Sequence, residues 1–151
     1  MTDSSASTPQ FPVTSSLLKP PAPESGLACD PTAPGLWTYV ARVLRIIDGD
    51  TLDVVVDLGL GHRAFPRLRL RGIDTPELYT RAGRQARDFV ERALTDSPAV
   101  VISTSRTDTY GRYLADVKYL RHEASSTLIL AKGIYLNAQL LREKLATRYL
   151  G

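Results

Sequence analysis

The sequence predicts an α+β fold in which five strands curl into one small closed β-barrel carrying two to three α-helices. Three observations lead there. Strand-forming runs crowd the stretch from residue 38 to residue 120. The apolar period switches from two to about 3.6 in one internal segment and again near the C-terminus. The length, 151 residues, suits a single hydrophobic core.

The first run, Thr38 to Ile47, is rich in Val, Ile and Tyr and closes on the turn-former Asp48-Gly49, so a hairpin follows. The second alternates, with Leu52, Val54, Val56 and Leu58 on one face and Thr51, Asp53, Val55 and Asp57 on the other, until Gly59 and Gly61 end it. The third, Phe65 to Arg71, sets Leu68 and Leu70 against a cationic face of Arg67, Arg69 and Arg71. Ala86, Phe89, Val90, Ala93 and Leu94 recur at helical spacing, giving an amphipathic helix over about Gly83 to Leu94 that Ser97-Pro98 stops. Val100 to Ser103 and Tyr113 to Leu120 read as the last two strands. Leu136, Leu140, Leu141 and Leu145 carry a final helix with Asn137 as its expected cap. Five strands with a helix after the third match a barrel of the oligonucleotide-binding (OB-fold) type.

Residues 1–36 are dominated by Ser, Thr, Pro and Ala, a composition too poor in large apolar residues to offset ordering entropy, and are expected to form a disordered leader to an ordered domain at 37–151. The lone Cys29 excludes an internal disulfide, and one thiol with His62 and His122 cannot build a closed zinc site. Both histidines fall in polar or Gly-rich loops and read as exposed bystanders, which leaves histidine-based RNase chemistry without its two positioned imidazoles. No stretch approaches the roughly 18 consecutive apolar residues of a membrane helix, and no secretory signal opens the chain, so the expected setting is the cytoplasm by default, with no membrane partner and a monomer as the default state. The net charge is +3; residues 1–40 hold a balance of −2, so the remainder carries +5, which favours polyanionic partners weakly.

Three constellations carry chemistry. Asp48-Gly49-Asp50-Thr51 puts two carboxylates on a strand-to-strand turn, where they can face a hard cation; seen alone it reads first as a hairpin turn with solvated acids. An EF-hand is excluded, because Leu52 occupies the third ligand position. Arg69 with Asp74-Thr75-Pro76-Glu77 sets two acids three residues apart on a segment that Pro76 keeps extended, and reads equally as decoration of a helix N-terminus. Arg106-Thr107-Asp108-Thr109-Tyr110-Gly111-Arg112 is either a solvated hairpin or a phosphate clamp, since guanidinium matches phosphate oxygens bidentately and Tyr110 offers a ring for base stacking.

Taken together the three resemble the thermonuclease, or staphylococcal nuclease-like, family over Trp37 to about Ala146. The series is Ile47-Asp48-Gly49-Asp50-Thr51, then Arg69-Leu70-Arg71-Gly72-Ile73-Asp74-Thr75-Pro76-Glu77, then Arg106-Thr107-Asp108 with Tyr110-Gly111-Arg112, then Leu136-Asn137. The resemblance implies a calcium-dependent nuclease that hydrolyses phosphodiester bonds of DNA and RNA and leaves 3′-phosphate ends. By resemblance, Asp50 and Asp74 ligate Ca²⁺ through side chains and Thr75 through its carbonyl; Glu77 is the general base or orients the water; Arg69 and Arg112 hold the scissile phosphate; Tyr110 contacts the nucleotide. The implied partners are single-stranded DNA, RNA and duplex DNA.

Four features depart from the family pattern. Thr109 stands where lysine is common, and Lys144 where a glycine with φ > 0 is expected. The loop Arg121 to Ile134 is longer than usual, and its Thr127-Leu128-Ile129-Leu130 run is expected to extend the hairpin. The sequence also ends at Gly151, before the C-terminal helix of the best-known members, leaving Leu145, Tyr149 and Leu150, the N-terminal segment or a second subunit to cover the core. The alternative is a non-catalytic nucleic-acid-binding module on the same barrel, a class that usually loses the acids or arginines present here.

Overall fold

The computed structural model describes residues 37–150, so the expected leader and Cys29 lie outside the described residues. Strands β1 (Thr38–Ile46) and β2 (Thr51–Gly59) form the expected hairpin. Then come β3 (His62–Ala64), β4 (Arg67–Leu70), β5 (Ile73–Asp74), helix α1 (Arg81–Leu94), β6 (Val100–Thr107), β7 (Tyr113–Tyr119), α2 (Ser126–Lys132), β8 (Ile134–Tyr135), α3 (Leu136–Arg142) and β9 (Thr147–Arg148). The pairing order β1-β6-β7-β4-β2 closes on itself through the β1–β2 hairpin, which makes a five-stranded barrel; β3 and β8 are short additions to β2 and β7, and β5 pairs with β9. The pairing of β4 with β7 is parallel, with Leu68 opposite Tyr113 and Arg69 opposite Leu114.

Strand alternation fills the barrel. Leu52, Val54 and Val56 of β2, Leu68 and Leu70 of β4, Ile102 of β6 and Val117 and Tyr119 of β7 are buried in one core with Val90 and Leu94 of α1 and Leu136 and Leu140 of α3. Helix α1 is capped by Thr80, whose hydroxyl accepts the Gly83 N–H at 2.9 Å. Gly83 is fixed by contact, because a Cβ there would collide with the carbonyl of Glu77.

Several expectations need correction. The third strand, expected from Phe65, begins only at Arg67 as β4, since Pro66 has no N–H to give a ladder, and His62–Ala64, expected in a loop, forms the short β3. Thr127–Leu130 lies in α2 and does not extend the hairpin: Ile129 is buried against Ala99 and Val101, a contact a helix can make from one face. Asn137 is no cap. Its side chain is 2% exposed and bonds three backbone groups, accepting the Val117 N–H at 3.1 Å and donating to the carbonyls of Arg71 at 3.0 Å and Ala115 at 3.1 Å. Lys144 does adopt positive φ, at 57°. Of the three residues expected to cover the core, Leu145 packs against it, whereas Tyr149 and Leu150 are exposed. His62 and His122 are both exposed. Among the described residues no helix is long and apolar enough to cross a membrane.

Candidate active site

The β1–β2 turn presents Asp50 inward. Asp48 shapes the turn by accepting the Asp50 N–H at 3.1 Å, and Asp50 is only 3% exposed. Gly49 is needed here for space: an added Cβ would stand 2.7 Å from the Ala86 Cβ of α1 and 2.9 Å from Thr75 Cγ2. The Asp50 carboxylate is held on every side. Oδ2 accepts the Thr75 N–H at 2.7 Å and the Thr75 hydroxyl at 2.9 Å, while Oδ1 accepts the Thr51 hydroxyl at 3.1 Å and pairs with the Arg69 guanidinium.

Arg69 bridges two acids. Its Nη1 pairs with Asp50, and its Nη2 donates to Asp74 Oδ1 at 2.5 Å. Asp74 sits on the short β5, anchored by pairing with Thr147 of β9, and its side chain is half-exposed. Four expected site residues are thus in direct contact: Asp50, Arg69, Asp74 and Thr75. Glu77 stands apart. It is exposed, its carbonyl accepts the Thr80 N–H and hydroxyl at 2.9 and 2.7 Å, and its carboxylate has no hydrogen bond or ion pair to another described residue.

The β6–β7 loop supplies the opposite wall. Asp108 organises it by accepting the backbone N–H groups of Tyr110 and Arg112, each at 2.9 Å, and Arg112 Nε at 2.7 Å. Burial alone would raise the Asp108 carboxyl, but these three donors outweigh it and leave the group below the usual carboxylate range. Arg112 therefore arrives pre-oriented, lying 5.3 Å from the Tyr110 ring centre, with that ring 82% exposed. Because β4 and β7 are parallel neighbours, Arg69 and Arg112 edge one groove of about 590 Å³, which Asp74, Thr107, Asp108 and Tyr110 also line.

Two groove residues, and a buried acid that pairs with one of them, were given no site role by the sequence reading. Tyr149, expected to cover core, lines the groove instead, with its N–H donated to the Gly72 carbonyl at 3.0 Å. Arg71 pairs with the buried Asp116 at 3.0 Å and donates to Ser105 Oγ at 3.0 Å and the Leu114 carbonyl at 3.1 Å, so it braces the groove wall. Burial pushes the Asp116 carboxyl up, against the pull of the Tyr135 hydroxyl at 2.6 Å and of Arg71. A signal for Asp116 existed: an acid in the middle of an apolar strand needs a buried partner.

A family model of staphylococcal nuclease homologues matches residues 67–150. The chain belongs to this family. Among curated relatives of this staphylococcal nuclease homologue, the micrococcal nuclease of Shigella flexneri is 32% identical over 119 residues, covering 78% of this chain and 63% of the relative. The thermonuclease of Staphylococcus hyicus is 34% identical over 100 residues, covering 62% and 56%. An uncharacterized endonuclease of Escherichia coli O157:H7 is 36% identical over 76 residues, covering 50% and 46%. The chain spans about half the length of the first curated relatives it matches.

Among the described residues no group of three or more His, Cys, Asp or Glu gathers to hold a metal. The donors expected for a cation are fewer: the carboxylates of Asp50 and Asp74, which already share one positive group in Arg69, and the carbonyl of Thr75. These are all oxygens, and they suit a hard cation that keeps several waters.

Proposed function

We propose that this family member is a calcium-dependent nuclease that hydrolyses phosphodiester bonds of DNA and RNA, leaving 3′-phosphate ends. The observation that carries this reading is the convergence of Asp50, Asp74 and Arg69 beside a groove that Arg112 and Tyr110 share. The family membership and the nucleases among its relatives support it.

Asp50, Asp74 and the Thr75 carbonyl would hold the ion. Bound calcium supplies neutralisation of the phosphate charge and a site for water. Arg69 and Arg112 donate to the equatorial phosphate oxygens and stabilise the charge that grows there as water adds to phosphorus. Arg112 keeps Nε on Asp108, so its terminal nitrogens serve the phosphate. Glu77, whose carboxylate is otherwise unengaged, takes the proton of the attacking water; the P–O5′ bond breaks, the 5′ oxygen takes a proton from solvent, and Glu77 returns its own to solvent. Tyr110 stacks on the adjoining base.

The test is cleavage of labelled single-stranded DNA and RNA with Ca²⁺, with Mg²⁺ and with chelator, comparing wild type with Glu77→Gln and Arg112→Ala. Calcium-dependent cutting with 3′-phosphate ends is expected, falling roughly 10³-fold or more in the arginine variant by analogy with arginine fingers. Folded protein that binds strands and cuts none under any metal would make this a binding module.

A further inference from the structure

Beyond the groove that holds Arg69 lies a second one, of about 750 Å³, that shares Tyr110 and Arg112 with it. Its other walls come from β1, β2 and the β3–β4 link: Leu44, Phe65 and Arg67 around Asp53. Its surface is unusual for an isolated barrel face. Phe65 is 70% exposed and Leu44 57%, and they stand beside guanidinium groups.

Sheet register explains how those groups come to be there. Arg45 is opposite Asp53 across β1–β2, and Asp53 is opposite Arg67 across β2–β4. Asp53 takes Arg67 at two points, Nε at 2.7 Å and Nη2 at 3.0 Å, and takes Arg45 Nη2 at 2.9 Å. Two arginines on one carboxylate leave a positive row with fixed guanidinium planes. Arg67 and Arg69 are two residues apart on the same face of β4, about 7 Å along the strand. That is comparable with the separation of successive phosphates on an extended nucleic-acid strand.

We propose that this second groove is a binding subsite for the nucleotide next to the one at the scissile phosphate, with Arg67 on its phosphate and Phe65 under its base. The occupant is therefore an unpaired strand of DNA or RNA, because stacking on an exposed ring requires a base free of its partner. Charge complementarity and continuity through Tyr110 and Arg112 select nucleic acid over an apolar peptide. The inference rests on the nuclease reading for the position of the scissile phosphate, and its test does not depend on cleavage.

The test is equilibrium binding to the full chain in chelator: fluorescence anisotropy with labelled octathymidylate, and competition against it by a dinucleoside monophosphate. Phe65→Ala is expected to weaken octamer binding roughly tenfold and to lower the octamer-to-dinucleotide affinity ratio. Arg67→Gln is expected to lower the slope of log K against log salt for the octamer by about 0.7. An equal loss on both lengths, or no loss on the octamer, overturns the proposal, as does wild-type protein that binds neither. Octamer-selective loss in a protein that cuts nothing with calcium would instead refute the catalytic reading and leave the subsite standing.

Discussion

Asn137→Ala removes one buried amide that ties three parts of the fold together. The side chain joins β7 through Val117 and Ala115 to the end of β4 through Arg71, all from the first turn of α3. Of the three backbone groups it satisfies, the Ala115 carbonyl keeps a second partner in the Arg71 N–H at 2.9 Å. The Arg71 carbonyl and the Val117 N–H lose theirs. A buried polar group left unsatisfied costs roughly 1–3 kcal/mol, so the expected loss is about 3 kcal/mol, a large share of the roughly 5–15 kcal/mol that holds a domain together. Equilibrium urea unfolding followed by far-UV circular dichroism reads it directly. With a slope of about 2 kcal/mol per molar, the midpoint falls by about 1.5 M with the slope unchanged. Asn137→Asp keeps an acceptor for Val117 but turns an oxygen toward two carbonyls, and is expected to cost at least as much. A midpoint shift under about 0.5 M for the alanine variant, or an aspartate variant milder than alanine, would refute the reasoning.

The remaining predictions concern single positions. Lys144→Gly relieves a side chain at φ 57°, and after the entropy of glycine is set against that gain, stability is expected to rise by about 0.5–1 kcal/mol, seen as a Tm a few degrees higher. Gly49→Ala drives a methyl into Ala86 and Thr75; a loss of about 1–3 kcal/mol in urea unfolding is expected, together with weaker calcium-induced stabilisation, because Thr75 is what fixes Asp50. Asp53 is held at about 2, chiefly by its bond from Arg67, below its ordinary value of 3.8. Its folded value being the lower one, its contribution to stability is present above pH 3.8 and is lost as pH falls toward 2. Thermal unfolding from pH 5 to pH 2.5 is expected to show the wild type's advantage over Asp53→Asn shrinking across that window.

What the sequence made legible was whatever a local period carries. The alternation in Leu52–Leu58 placed β2 and the buried Leu52, Val54 and Val56, although Leu58 is exposed and Thr51 and Val55 of the opposite face are also buried, and the helical recurrence from Ala86 to Leu94 placed α1. Tertiary context decided the rest. Thr127–Leu130 is four residues with strand-like composition, yet one contact, Ile129 on Ala99 and Val101, is enough to make a helix the better way to bury it. Asn137 looks like a cap because it stands where caps stand, whereas its partners come from β7 and from the far end of β4. At the site, Asp50, Asp74 and Arg69 were legible as residues through the family motif, but their sharing of a single guanidinium is a property of the closed barrel. Tyr149 gave no signal, because a tyrosine near a chain end looks the same whether it covers a core or lines a groove. The glycine of the β1–β2 turn was legible as a turn residue, but not what it supplies: its φ is not positive, and it leaves room for Thr75 and α1.

The parallel pairing of β4 with β7 has a consequence for how activity is gained and lost. Residues 68–70 meet residues 113–115 across the helix and β6 that lie between them in the chain, so this contact carries a loop-closure cost that the hairpin pairings do not. Asp50, Arg69 and Asp74 belong to one side of that seam and Tyr110 and Arg112 to the other. A partly folded chain can own either half and neither half is a site. The two walls of the groove are therefore brought together by the same β4–β7 pairing that closes the barrel.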